Sequence, residues 1–533
     1  MARQGETLAP AQAPPSRDAP RSWRPAVGVG VVAALVMLLG ADRASLWTDE
    51  AATVSAATRP WGELLEMIRG LDAVHATYYA FMHVWIDVFG TSEIALRSAS
   101  ALAVGAVAAG TWVLAERLGG RALAWWAAPV VVLLPRVAWM GAEARPFAFA
   151  TAAAVWATVL LVAAVARGGA WRWAGYAVLV VLGALLNLYT VLLLPAHASS
   201  LLLLPQRRTA VRRWLVPAVA AGAVLLPFLV LAAGQTGQLG RHDMSLASLA
   251  RNVVVNQWFL GETPSVYTRD AAVLAAGTGD GVWKVAAVLL AVLATLVVGA
   301  ALVRWARPSG RSPEARAVVV WTVPWIVVPT AVLVGWALVS QTYSPRYLAF
   351  CAPAVAVLLA AALRAVTVRP VQVGVVLALV ACAVPVLVSQ RTENAKSGAD
   401  WRQVSTVVAA ACRPGDGVYF APRAAPTGTT VRLTTRAVSV AYPEPFRELV
   451  DVTLEAGPLE TDDLVGRSRL LQAAGDRLAD LGTLCVVRRH DVPDAVRDAD
   501  DTSLARDGWV VRARWQGPLD EVVVLDRGSS RTG

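Results

Sequence analysis

The sequence predicts a polytopic α-helical membrane protein with about eleven transmembrane helices and a C-terminal extracytoplasmic α/β domain. Three observations predict it. Apolar runs long enough to span a bilayer recur between residues 25 and 389, arginines collect in alternate connections between them, and after Ser389 the apolar runs stop and charge rises. The composition agrees: 56% of the 533 residues are hydrophobic, 16% are charged and the mean hydropathy is +0.52, whereas a soluble chain carries about 25% charged residues. The net charge of +10 is spread over short loops instead of one stripe, so it reads as topology and argues against a nucleic-acid partner. The four cysteines show neither CxxC nor metal-like spacing, which argues against a zinc or thiol-redox site.

Residues 1–24 hold Arg3, Arg17, Arg21 and Arg24 and too few apolar side chains to fold, so they read as a disordered cytoplasmic tail. The first apolar run lacks a convincing small-residue cleavage site after it and reads as a retained helix. The expected spans are 25–41, 94–115, 122–140, 146–166, 174–189, 190–204, 214–233, 282–303, 317–339, 347–363 and 371–389. The stretch 174–204 is too long for one straight span, so it is divided at Asn187-Leu188-Tyr189, where polar atoms interrupt the run.

The positive-inside rule tests that division. Alternate loops hold Arg117 and Arg121; Arg167 and Arg172; Arg207, Arg208, Arg212 and Arg213; Arg304, Arg307, Arg311 and Arg316; and Arg364 and Arg369. All fall on the side of the basic tail. The N-terminus is therefore expected in the cytoplasm and the C-terminus outside, in a multi-pass protein of the cell (plasma) membrane. Merging 174–204 into one span would scramble the alternation.

Three segments then face outward with more polarity than a connector needs: 42–92, 234–281 and 390–533. The first contains two amphipathic stretches, 60–69 and 74–88, whose Trp61, Tyr78, Tyr79, Phe81 and Trp85 suit helices lying in the interface. In the third, Asp400-Trp401-Arg402-Gln403 resembles a capping box opening a helix to about Cys412. The turn at Pro414-Gly415-Asp416-Gly417 leads into a strand over 418–421, and 483–487, 509–515 and 521–525 also read as strands. Cys412 and Cys485 suit either an extracytoplasmic disulfide or two small buried residues. His490-Asp491 has no nucleophile near it and reads as a solvated loop.

Chemistry concentrates at the outer membrane face. Asp49 and Glu50 follow the first span directly, and two adjacent acids at a membrane edge are costly unless used. The structural alternative is that Thr48 caps a short helix and the acids favour its N-terminal dipole. Asp72 and His75 lie in the same loop among aromatics. Glu143-Ala144-Arg145-Pro146 and Tyr343-Ser344-Pro345-Arg346-Tyr347 end later spans on the same side, where each alone reads as an interfacial anchor. Their convergence on one face is what suggests a site.

The order of these elements resembles the GT-C glycosyltransferases that use polyprenyl-phosphate sugars, in the group that contains protein O-mannosyltransferases and lipid A aminoarabinose transferases. The resemblance rests on Asp49-Glu50 after the first helix, then two interfacial helices. It continues in Phe89-Gly90-Thr91-Ser92-Glu93-Ile94-Ala95-Leu96-Arg97-Ser98, in Glu143-Ala144-Arg145-Pro146-Phe147 and in Pro345-Arg346-Tyr347. It covers a GT-C-like body over 25–389 with the external loop 42–92. Where the aminoarabinose transferases have Lys-Pro-Pro, this chain has Asp72-Ala73-Val74-His75, so neither donor nor acceptor carries over. The domain over 390–533 matches only in being there.

The resemblance implies an inverting, mannosyltransferase-like enzyme: a sugar is expected to move from a polyprenyl-phosphate donor to an envelope glycan, lipid or protein acceptor, among membrane lipids. Asp49 and Glu50 are the expected catalytic residues, Asp49 as the base, with Arg145 and Arg346 as partners of the departing phosphate, while Asp72, His75 and Tyr347 line the substrate site. Some relatives hold a divalent metal near the external acids; Glu50, Asp72 and His75 are suitable ligand types, although their spacing does not support a metal. A secondary transporter would need broken helices, midplane charges and repeat symmetry, and a non-catalytic envelope-assembly scaffold would use the soluble domain alone. Both remain as alternatives.

Overall fold

Helix starts and breaks in the computed structural model follow the prolines, glycines and polar interruptions of the sequence. It describes residues 23–235, 245–261, 281–340, 343–426, 428–461 and 463–528. The expected tail, apart from Trp23 and Arg24, and the parts 236–244 and 262–280 of the second external segment lie outside the described residues.

Helix α1 (Arg24–Leu38) begins with Pro25 in its first turn, where a missing N–H costs nothing. It packs along α5 (Glu93–Leu133) through a close approach of Gly30 and Gly105: a Cβ on Gly105 would stand 2.7 Å from the Gly30 carbonyl oxygen. Small residues at such a crossing let two helices touch where lipid offers no hydrophobic drive. Helix α5 is broken by Gly119 and by Gly120 at φ 77°, so the expected spans 94–115 and 122–140 are its two arms, the second continued by α6 (Pro135–Gly141). Helices α7 (Phe147–Arg167), α8 (Ala170–Leu186), α9 (Leu193–Leu202) and α10 (Arg207–Gly234) follow. The division between α8 and α9 falls at Asn187, in extended conformation, and a 3-10 turn over Leu188–Leu192. The remaining long helices are Val282–Ala306, Pro313–Ser340, Ala352–Arg364 and Arg369–Ser389. Among the described residues, seven helices are long and apolar enough to cross a membrane, with three shorter apolar ones beside them.

The first external loop folds into three helices, α2 (Thr48–Ala57), α3 (Trp61–Gly70) and α4 (Ala76–Phe89). The last two are the expected interfacial stretches. Helix α2 differs from expectation at its start: Trp47 occupies the cap position and no side chain caps the helix, so Thr48 is its first residue and not its cap.

After residue 390 a five-stranded sheet forms in the order β3 (Val450–Asp451), β1 (Gly417–Phe420), β6 (Thr483–Arg489), β8 (Asp520–Arg527), β7 (Trp509–Gln516). Strand β1 runs parallel to β3 and β6, and β8 runs antiparallel to β6 and β7. A second, antiparallel sheet is ordered β2 (Thr430–Val431), β5 (Arg467–Arg469), β4 (Leu454–Ala456). Helix Trp401–Ala411 starts where the sequence predicts, yet the capping box is absent. Asp400 turns its carboxylate to the N–H groups of Leu519 and Asp520 at 3.0 and 3.1 Å, and Gln403 donates to Glu393 at 2.5 Å. A tertiary anchor has displaced the local one. Cys412 and Cys485 are joined as a disulfide.

One apolar core joins the loop to the soluble domain: Leu46, Ala51, Val54 and Ala56 pack in the same cluster as Val404, Val438, Ala441 and Phe446.

Candidate active site

Asp49 stands in the first turn of α2. Its Oδ2 accepts from Arg346 Nη1 at 2.5 Å, and its backbone carbonyl accepts from Arg145 Nη1 at 3.3 Å. Arg346 and Tyr347 are presented by the 3-10 turn Pro345–Cys351, which leads into helix Ala352–Arg364. Burial alone would raise the Asp49 carboxyl, but Arg346 and Arg145 outweigh it and hold it below its ordinary value.

Asp72, the residue with a left-handed backbone at φ 59°, and His75 form the second half of the site. His75 Nδ1 contacts Asp72 Oδ1 at 2.6 Å, Tyr79 donates its hydroxyl to Asp72 Oδ2, and Arg145 Nη2 lies 3.1 Å from His75 Nε2. A guanidinium only donates, so Nε2 accepts and the ring carries its proton on Nδ1. Burial, then Arg145, lowers the His75 pKa, against the opposing pull of Asp72. Asp72, in turn, is held well below the usual carboxylate range: burial raises it, and His75 and Arg145 more than reverse that.

A cavity of about 420 Å³ opens between these groups. Asp49, Asp72, His75, Arg145 and Tyr347 line it, together with residues of the α8–α9 break. There Tyr189 stacks on Tyr347 at 4.6 Å between ring centroids, and Asn187 donates to the Tyr347 carbonyl at 2.9 Å. Arg346 borders it through Asp49 and through the face of Phe147, 5.9 Å from its guanidinium carbon.

Glu50 is a correction. Its side chain is 0% exposed and points away from the cavity; Arg97 donates to it at 2.8 and 2.6 Å, and the Ala144 N–H at 3.0 Å. The Arg97 charge outweighs burial and keeps it ionised. Adjacent positions on a helix point about 100° apart, and here Asp49 faces the cavity while Glu50 turns to Arg97. Glu50 instead ties α2 to the loop that carries Arg145. With Glu50 so engaged, and with Asp72 and His75 satisfied by each other, Tyr79 and Arg145, these three do not fit a metal as a ligand set. Among the described residues no group of three or more His, Cys, Asp or Glu is placed to hold one.

Lys396 went unnoticed in the sequence. It is buried against Glu143, whose other oxygen accepts from Trp47 Nε1 at 2.5 Å. Burial raises the Glu143 pKa and Lys396 opposes it. The one available signal was rarity: Lys396 is one of two lysines in a chain with 48 basic residues.

No family model and no curated protein sequence matches the chain. Solved structures do. The aminoarabinose transferase ArnT of Cupriavidus metallidurans, bound to undecaprenyl phosphate, superposes with a TM-score of 0.53 over 95% of this chain and 99% of its own, at 13% identity. Its apo state gives 0.54 over 93% and 97%, also at 13% identity. The chain has the GT-C fold. An oligosaccharyltransferase of Archaeoglobus fulgidus, crystallised with zinc and sulfate, gives a TM-score of 0.45 at 12% identity over 86% of this chain and 67% of its own. The chain is a multi-pass membrane protein with a β-containing domain at its C-terminal end, as in the fold shared with ArnT.

Proposed function

We propose that the protein is a membrane glycosyltransferase that moves a sugar from a polyprenyl-phosphate donor to an envelope glycan, lipid or protein acceptor, with inversion at the anomeric carbon. The observation that carries this reading is Asp49 lining a cavity between two arginines, on a fold shared with ArnT, which was solved with undecaprenyl phosphate bound. The alternation of loop arginines supports a plasma-membrane protein with a cytoplasmic N-terminus and an outward-facing cavity.

In the proposed step, the acceptor hydroxyl oxygen bonds to the anomeric carbon as that carbon's bond to the phosphate oxygen breaks. The electron pair leaves with the polyprenyl phosphate, and the hydroxyl proton passes to Asp49. A phosphate departs without an acid, so one carboxylate suffices. Asp49 is ionised because its arginines hold it so, and Arg145 and Arg346 put positive charge where phosphate charge develops. His75, kept neutral, and Asp72 orient Arg145. Tyr347 and Tyr189 supply an aromatic wall. Neither Glu50 nor a resident metal has a step here.

Purified protein incubated with radiolabelled polyprenyl-phosphate sugars, mannose first, and isolated envelope fractions should transfer label. A broad donor panel with active control enzymes and no transfer contradicts the reading.

A further inference from the structure

We propose that the soluble domain is a working part of this site, with Lys396 as a positioning residue for Asp49 and Leu464 as a wall of the substrate cavity. The inference rests on the transferase reading above.

Helix α2 has 10 residues, and an isolated helix shorter than about 12–15 residues is marginal in water. Its place is set by what grips it. At its start, Tyr442 of the soluble domain accepts from the Leu46 N–H at 2.8 Å and donates to Glu93 at 2.6 Å. Trp47, next to the first helical residue, is tied to Glu143, and Glu143 is ion-paired with Lys396, 4% exposed. A lysine that deep is retained only with its partner, since either charge left alone in the interior is costly. At the far end Ser55 donates to the Leu464 carbonyl at 2.6 Å, and Arg59 donates to the carbonyls of Pro458 and Asp463. Leu464 also lines the cavity that holds Asp49. Helix α2 is therefore gripped at both ends by residues of the soluble domain, and Leu464 stands on the same cavity as Asp49. Lys396 itself lines a different cavity, with Trp47 and Trp401, and does not line that of Asp49. Its effect on Asp49 runs through Glu143, Trp47 and the helix start.

The test uses full-length protein in lipid nanodiscs, as wild type, Lys396→Met, Lys396→Arg and Tyr442→Phe. Hydrogen–deuterium exchange of amides 51–57, the hydrogen-bonded part of α2, is read beside sugar transfer from a polyprenyl-phosphate donor. Lys396→Met should speed α2 exchange and lower the maximal transfer rate, each by about tenfold, with the half-saturating donor concentration within about twofold of wild type. Lys396→Arg should recover most of both. Tyr442→Phe loses only a hydroxyl and should speed α2 exchange with the fold intact. Unchanged α2 exchange in both Lys396→Met and Tyr442→Phe overturns the proposal, whether or not the wild type transfers sugar. A wild type that transfers nothing while α2 responds to both variants overturns the transferase reading and leaves the clamp standing.

Discussion

Arg346 and Asp49 lie 297 positions apart in the chain and meet at 2.5 Å. Arg346 is the first of the charges that overcome burial and depress the Asp49 carboxyl. A depressed carboxyl contributes stability above its unfolded value, about pH 4, and loses it as pH falls through the folded value. Wild-type transfer should accordingly stay level down to the ordinary carboxylate range. Arg346→Ala should reduce the rate by about 10²–10³. It should also move the acid limb of the pH–rate profile upward, because burial then dominates. An acid limb that does not move would show that Arg346 does not set the ionisation of Asp49.

The Glu50–Arg97 pair predicts a loss of stability and not of chemistry. Glu50→Gln leaves Arg97, 1% exposed, without its counter-charge, at a cost of about 3–5 kcal/mol. The unfolding temperature should fall clearly while transfer per folded molecule stays within a few-fold of wild type. A stable Glu50→Gln protein that has lost transfer would return Glu50 to the reacting centre.

His75 should be neutral throughout the working range, since burial and then Arg145 lower its pKa. Transfer should therefore show no inflection near pH 6.5. Below that pH the unfolded chain takes up the imidazole proton more readily than the folded one, so stability should decline as pH falls through it. His75→Gln, which keeps an acceptor for Arg145, should retain more activity than His75→Ala. Equal activity in the two variants would mean that His75 does not orient Arg145.

Much of this site was legible because membrane topology is written in composition. The alternation of loop arginines puts Asp49, Asp72, His75, Arg145 and Arg346 on one face, and short motifs at span ends mark Arg145 and Arg346. The break at Asn187 was equally legible, as polar atoms in an apolar run. What the sequence hid depends on partners that only folding brings together. Glu50 reads like Asp49 until Arg97, 47 residues on, claims it. The Asp400 box fails because the N–H groups of Leu519 and Asp520, about 120 positions away, take its carboxylate. The contacts around α2 join Lys396 to Glu143, 253 positions apart, and Tyr442 to Leu46, 396 positions apart, which no local pattern encodes.

The most direct test of the account is Asp49→Asn, a near-isosteric change that removes the base, assayed beside wild type for transfer of radiolabel from a polyprenyl-phosphate sugar. Matched melting curves should show both proteins folded. The account predicts a loss of about 10²–10⁴-fold in transfer rate. A folded Asp49→Asn protein that transfers at the wild-type rate would contradict it.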